Sequence, residues 1–116
     1  MTYVDGFVAA VPTANKQVYL EHARVTAPVF KKYGALRCVD SWGVEVPDGE
    51  ITSFPIAVKA KPSETIVFAW IEWPSKEVRD NGMEQAMADP VFSSDLPMPF
   101  DGKRMIFGGF QTISDE

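Results

Sequence analysis

The longest uninterrupted apolar stretch runs Thr65-Ile66-Val67-Phe68-Ala69-Trp70-Ile71-Glu72-Trp73. A strand this apolar is covered on both faces. A second strand is predicted over Tyr3–Val11, rich in strand formers and ended by Pro12. Its two faces are Tyr3, Asp5, Phe7, Ala9 and Val4, Gly6, Val8, Ala10, and neither is wholly polar. Between these strands, Val18, His22, Val25 and Val29 step by three or four, with Tyr19, Thr26, Phe30 and Tyr33 beside them. That period predicts an amphipathic helix. Thr13 or Asn15 is its expected cap, Pro28 its expected kink, and Gly34 its left-handed stop.

From Leu36 to Val46 the pattern alternates again. Leu36, Cys38, Trp42, Val44 and Val46 make one face apolar, with Asp40 as its exception. Pro47-Asp48-Gly49 turns the chain. Residues 50–63 read either as a short helix begun at Thr52 or Ser53, with Pro55 in its first turn, or as an extended segment. Ser75 caps a second long helix reaching about Ala88, with Val78, Gly82, Met83, Ala86 and Met87 inward. Asp89-Pro90 starts a further helical turn. Leu96–Phe100 is a Pro-rich connector, Asp101-Gly102 a turn, and Arg104–Ile113 the last strand. Gly108-Gly109 inside it predicts a bulge or the close approach of another chain.

The order strand, helix, strand, strand, helix, strand, joined by right-handed crossovers, gives an α+β ferredoxin-like βαββαβ fold. Its sheet is four-stranded and antiparallel with both long helices on one face. Strand three sets Ile66, Phe68 and Trp70 against Val67, Ala69, Ile71 and Trp73, and strand four sets Ile106 and Phe110 against Met105, Phe107 and Ile113, so the face the helices leave uncovered is an apolar patch too large for a solvated surface. A second copy packed sheet to sheet is the simplest cover.

The 116 residues make one domain, 1–116, with a core of its own. Eleven basic and sixteen acidic residues leave a net charge of −5, which lacks the electrostatic footprint of a nucleic-acid binder. No apolar run approaches the ~20 residues of a membrane span, and the N-terminus has no basic n-region or apolar h-region. Cys38 stands alone, so no internal disulfide forms and a reducing cytoplasm is expected. One Cys and one His do not make a structural zinc site, and no motif for a cofactor is present.

Several tracts together carry a resemblance: Tyr3-Val4-Asp5-Gly6-Phe7; Thr52-Ser53-Phe54-Pro55; Glu64–Ile71; and, most specifically, Met98-Pro99-Phe100-Asp101-Gly102-Lys103-Arg104-Met105-Ile106-Phe107-Gly108-Gly109-Phe110. They resemble the YbaA-like bacterial family of unknown function (DUF1428) across essentially the whole chain. That family is similar to the dimeric α/β-barrel superfamily, in which two ferredoxin-like subunits close their sheets into one barrel. The resemblance implies the same fold and dimer as the strand pattern, and it brings no catalytic residues.

Candidate chemistry therefore rests on polar exceptions. His22, on the apolar helix stripe, is a general base in a cleft or a core histidine. Asp40 faces a pocket, with a raised pKa if poorly partnered, or is a paired strand carboxylate. Cys38 is half of a Cys–His pair or a small buried strand residue. Trp42, Phe68 and Trp70 line an aromatic ligand pocket or belong to core and interface. Arg104 holds an anionic ligand or pairs structurally. The functional expectation is a small molecule bound between helices and sheet, with cofactor-independent catalysis one outcome. The alternative is a non-catalytic dimeric interaction or sensing module.

Overall fold

A computed structural model describes residues 1–93 and 95–116. Its elements are β1 (Tyr3–Pro12), α1 (Lys16–Lys32), β2 (Arg37–Trp42), α2 (Phe54–Ala57), β3 (Glu64–Trp73), α3 (Lys76–Met87), α4 (Pro90–Ser93) and β4 (Ile106–Gln111). A 3-10 turn, Thr13–Asn15, joins β1 to α1. The sheet order is β2-β3-β1-β4, all pairs antiparallel. This is the ferredoxin-like arrangement that the strand and helix patterns predict.

The register settles the faces. Tyr3 lies opposite Trp73, Asp5 opposite Ile71, Phe7 opposite Ala69 and Ala9 opposite Val67. Cys38, Asp40 and Trp42 fall opposite Ile71, Ala69 and Val67 on the same side. These residues form the face under α1 and α3. Ala9, Val11, Tyr19, Val67 and Ala69 make one buried cluster there, and Ala35, Ile71 and Trp73 another. Gly82 sits where a Cβ would overlap the Trp73 ring and the Tyr33 carbonyl, so glycine sets how closely α3 seats on the sheet.

An ion-pair cluster closes one end of this face. Asp5 is 4% exposed. Its Oδ1 accepts from Arg79 Nη2 at 2.8 Å and its Oδ2 from Trp73 Nε1 at 2.9 Å. The Arg79 guanidinium also lies 5.1 Å from the Tyr3 ring centre. A buried carboxylate is tolerated when paired and hydrogen-bonded in this way.

The structure corrects several expectations. In α1 the buried residues are Tyr19, Thr26 and Val29, whereas Val18 and Val25 are exposed. The inward stripe is displaced because hydroxyls can be buried once bonded: Thr26 Oγ1 donates to the His22 carbonyl at 3.0 Å. Neither Thr13 nor Asn15 caps α1. Thr13 bonds Thr65 across 2.7 Å, and Asn15 Nδ2 donates to the Pro99 carbonyl. The helix runs through Pro28 to Lys32, and Gly34 takes φ 116°. Ser53 and Ser75 do cap α2 and α3, accepting from Ile56 N and Val78 N. Met87, expected inward, is half exposed.

β2 ends at Trp42 rather than Val46. Beyond Gly43 the chain crosses the sheet edge, so Val46 packs on the opposite face, with Val8, Ala10, Val58, Ala60 and Ile66. That face is therefore not bare: the segment between β2 and β3 roofs one end of it. β4 is also shorter than predicted, because Arg104 and Met105 still belong to the Asp101 turn. Its glycines form no bulge. Gly108 pairs with Gly6 and Gly109 with Asp5 in continuous register, and the Tyr3 ring occupies the space a Gly109 side chain would need. The two ends of the described fold meet, with Thr112 N donating to the Thr2 carbonyl at 3.0 Å and their hydroxyls 2.7 Å apart.

Candidate functional site

Small side chains open a space between α1 and the sheet. Ala9 and Ala69 lie on the sheet wall, Ala23 and Ala27 on the helix wall, and a cavity of about 130 Å³ remains between them. Phe7, Phe30, Val67, Trp70, Ile71, Phe100 and Met105 complete its apolar lining. Its polar groups are Tyr19, His22, Thr26, Cys38 and Asp40. The cavity thus brings together three polar residues singled out from the sequence, His22, Cys38 and Asp40, and Trp70 also borders it. It adds Tyr19, which sequence reasoning placed only on the flank of the helix stripe. The signal for the cavity itself was present as alanines on both facing elements.

The Tyr19 hydroxyl donates to Asp40 Oδ1 at 2.6 Å. A hydrogen bond to a carboxylate at this length is of the strong, charge-assisted kind. Burial, then the Asp40 bond and charge, push the Tyr19 phenol far above its ordinary range, so it stays protonated. Burial lowers the His22 pKa while the Asp40 charge opposes that shift, which keeps the imidazole neutral near pH 7. Burial and Asp40 push the Cys38 thiol up to about 11 against the pull of Lys31. The thiolate is the nucleophile in cysteine chemistry, and this site disfavours it. No described residue hydrogen-bonds the His22 ring or the Cys38 sulfur, so the Cys–His pair weighed as a nucleophile is not assembled. Asp40 lies exposed on the edge strand β2, with Tyr19 as its partner.

The aromatic candidates divide between the two faces. Trp42 follows Asp40 on the helix-covered face, with the Lys16 ammonium 5.6 Å from its ring centre. Phe68 and Trp70 lie on the opposite face, their rings 5.8 Å apart, and Phe54 of α2 meets Phe68 edge-on at 5.9 Å. Trp70 Nε1 donates to Glu72 Oε2 at 3.0 Å. With Val4, Val8, Ile106 and Phe110 they line an open apolar groove of about 590 Å³, whose floor is lowered by the Gly6–Gly108 pair. One pocket holding all these aromatics is therefore not formed.

Arg104 stands apart from both. Its guanidinium binds Glu64 through both Nη atoms at 2.8 and 2.7 Å, Asp101 through Nε, and the Lys59 carbonyl. This clasp ties the turn before β4 to the start of β3. The reading of Arg104 as an anion holder is corrected accordingly: its bonds are spent within the chain on two carboxylates. The same clasp holds the Glu64 carboxyl down at about 2.

Among the described residues no group of three or more His, Cys, Asp or Glu side chains could hold a metal ion. No helix among them is long and apolar enough to cross a membrane.

The sequence and the fold have counterparts in known proteins. The chain is 56% identical over 117 residues to the "uncharacterized protein YbaA" of Escherichia coli K12, covering the whole of both, and equally to that of Shigella flexneri. A solved structure from an uncultured marine organism, described as a dimeric ferredoxin-like protein, superposes with a TM-score of 0.62 at 12% identity. That likeness covers 99% of this chain and 98% of the other. The family model for proteins of unknown function DUF1428 matches residues 2–102, and the chain belongs to that family.

Proposed function

We propose that the protein binds a small molecule in the cavity between α1 and the sheet, and that it does so as a homodimer. The observation that carries the binding reading is a polar cluster, Tyr19–Asp40 with His22 and Cys38, facing an unfilled apolar space. Binding sites have this composition: mostly apolar walls with a few polar groups that fix orientation. Binding is favoured over nucleophilic catalysis because Cys38 is held as the thiol. Proton transfer, if the ligand undergoes it, falls to the neutral His22 imidazole beside Asp40.

The dimer reading rests on the open face. Phe68 is 45% exposed and Phe110 62% exposed on one strand-paired surface. The similar marine protein is described as dimeric. A second copy laid on this groove buries it through a symmetric contact. The chain acts as one domain, and its unpaired Cys38 suits the cytoplasm.

A thermal-shift screen against metabolites tests the binding reading. A ligand at a hundred times its dissociation constant adds about 2.7 kcal/mol of stability. The expected hits raise the melting temperature of the wild type and leave Ala69→Leu, whose added side chain fills the cavity, unmoved. A hit that stabilises both proteins equally binds elsewhere and removes the cavity from the reading. Sedimentation equilibrium showing a folded monomer at micromolar concentration overturns the dimer.

A further inference from the structure

Resting on the cavity reading above, we propose that the site selects a neutral single-ring molecule carrying one hydrogen-bond donor, of the phenol class. Size comes first. The cavity measures about 130 Å³, close to the roughly 150 Å³ of an engineered apolar cavity that binds benzene. The walls contacting such a ring are Ala9, Val67, Ala69, Phe100 and Met105, which offer no polar side-chain atom.

The polar groups then set the substituent. Thr26 spends its hydroxyl proton on the His22 carbonyl. Tyr19 spends its own on Asp40 Oδ1, which leaves the phenolic oxygen able to accept. Asp40 retains Oδ2 as an acceptor among the described residues, and His22 in its neutral form keeps one ring nitrogen as an acceptor and the other as a donor, while Cys38 adds only a weak S–H donor. The site is therefore richer in acceptors than in donors and complements a donor on the ligand. Its charge has one sign. Asp40 is the only formally charged side chain lining the cavity among the described residues, while Lys31 acts on Cys38 from the solvent end of α1 and Lys16 is drawn to the Trp42 ring. A carboxylate ligand would meet that negative charge with no guanidinium or ammonium in the lining to answer it.

The test measures binding of phenol, toluene, benzamide and benzoate to the full chain by calorimetry near pH 7. Phenol is expected to bind about tenfold or more tightly than toluene, the worth of one hydrogen bond to a charged group. Benzamide is expected to bind more tightly than benzoate by a similar factor. Asp40→Asn should shrink both ratios several-fold, and Ala69→Leu should abolish binding of all four. Circular dichroism of each variant confirms that it folds. Equal affinity for phenol and toluene, with loss of both in Ala69→Leu, overturns the donor selection and leaves the cavity reading standing. Benzoate binding as tightly as benzamide overturns the charge argument in the same way. Saturable binding by none of the four overturns the single-ring class, and the metabolite screen with Ala69→Leu decides the cavity reading separately.

Discussion

The two faces of one sheet are finished in different ways. Under α1 and α3 the polar side chains are few, and the buried ones are answered: Asp5 by Arg79 and Trp73, Tyr19 by Asp40, Thr26 by a backbone carbonyl. On the other side the residues are mostly apolar, with Glu72 an exception, and their cover is partial. Val8, Ala10 and Ile66 lie beneath Val46, Val58 and Ala60, while Phe68, Ile106 and Phe110 remain exposed. Directional hydrogen bonds fix one geometry, whereas burial of apolar area is non-directional. The helix-covered face is thus suited to holding a shaped cavity, and the open face to meeting another surface.

Breaking the first face at its buried carboxylate has the largest expected effect. Asp5→Ala strands the Trp73 indole and leaves the Arg79 guanidinium with Asp80 alone, and should cost about 3 kcal/mol, read as a lower denaturant midpoint with an unchanged slope. The open face is probed next by Phe110→Asp. A charge placed in the proposed dimer contact should weaken self-association by about 100-fold while the isolated fold keeps its melting behaviour. Sedimentation that shows no change would separate this face from any assembly. Tyr19→Phe follows, with an expected loss of about 1–2 kcal/mol from one hydrogen bond to a carboxylate, small enough for the cavity to remain.

The remaining effects are those of pH. The folded Glu64 pKa, about 2, lies below its ordinary 4.5, so the unfolded chain binds the proton first on acidification. Its stabilisation is full above pH 4.5 and lost as pH falls toward 2. His22 behaves with the same sign higher up: its lowered pKa makes the unfolded chain bind more protons below about 6.5, so stability declines there as pH falls. Melting temperatures against pH should lose the lower step in Glu64→Gln and the upper one in His22→Gln.

How much of this could be read from the residues alone depends on the range of the interactions involved. β1, β3 and α3 were legible because their periods are local and their breakers, Pro12, Pro74 and Ser75, stand beside them. Asp40 and His22 were legible as polar exceptions on apolar faces. Tyr19 was not, since its burial depends on a carboxylate 21 residues away. Between Gly43 and Ser63 only the helix start at Ser53 was legible; the path around it was not, for the same reason. It has no sustained period, and its place over Val8 and Ile66 is set by contacts across the sheet. For Arg104 structural pairing was one of the two readings, but its partner could not be named because Glu64 is 40 residues distant.

The bonds between Thr2 and Thr112 have a topological consequence. They bring positions 110 residues apart into contact, so the fold is nearly a closed ring. A few flexible residues would join them, since the cost of closing a loop grows only slowly with its length. New ends could then open in the exposed turn around Asp48 and Gly49, where cutting interrupts no strand or helix. Such a permuted chain would release the roof over Val8 and Ile66 from one of its two tethers while leaving the helix-covered cavity intact.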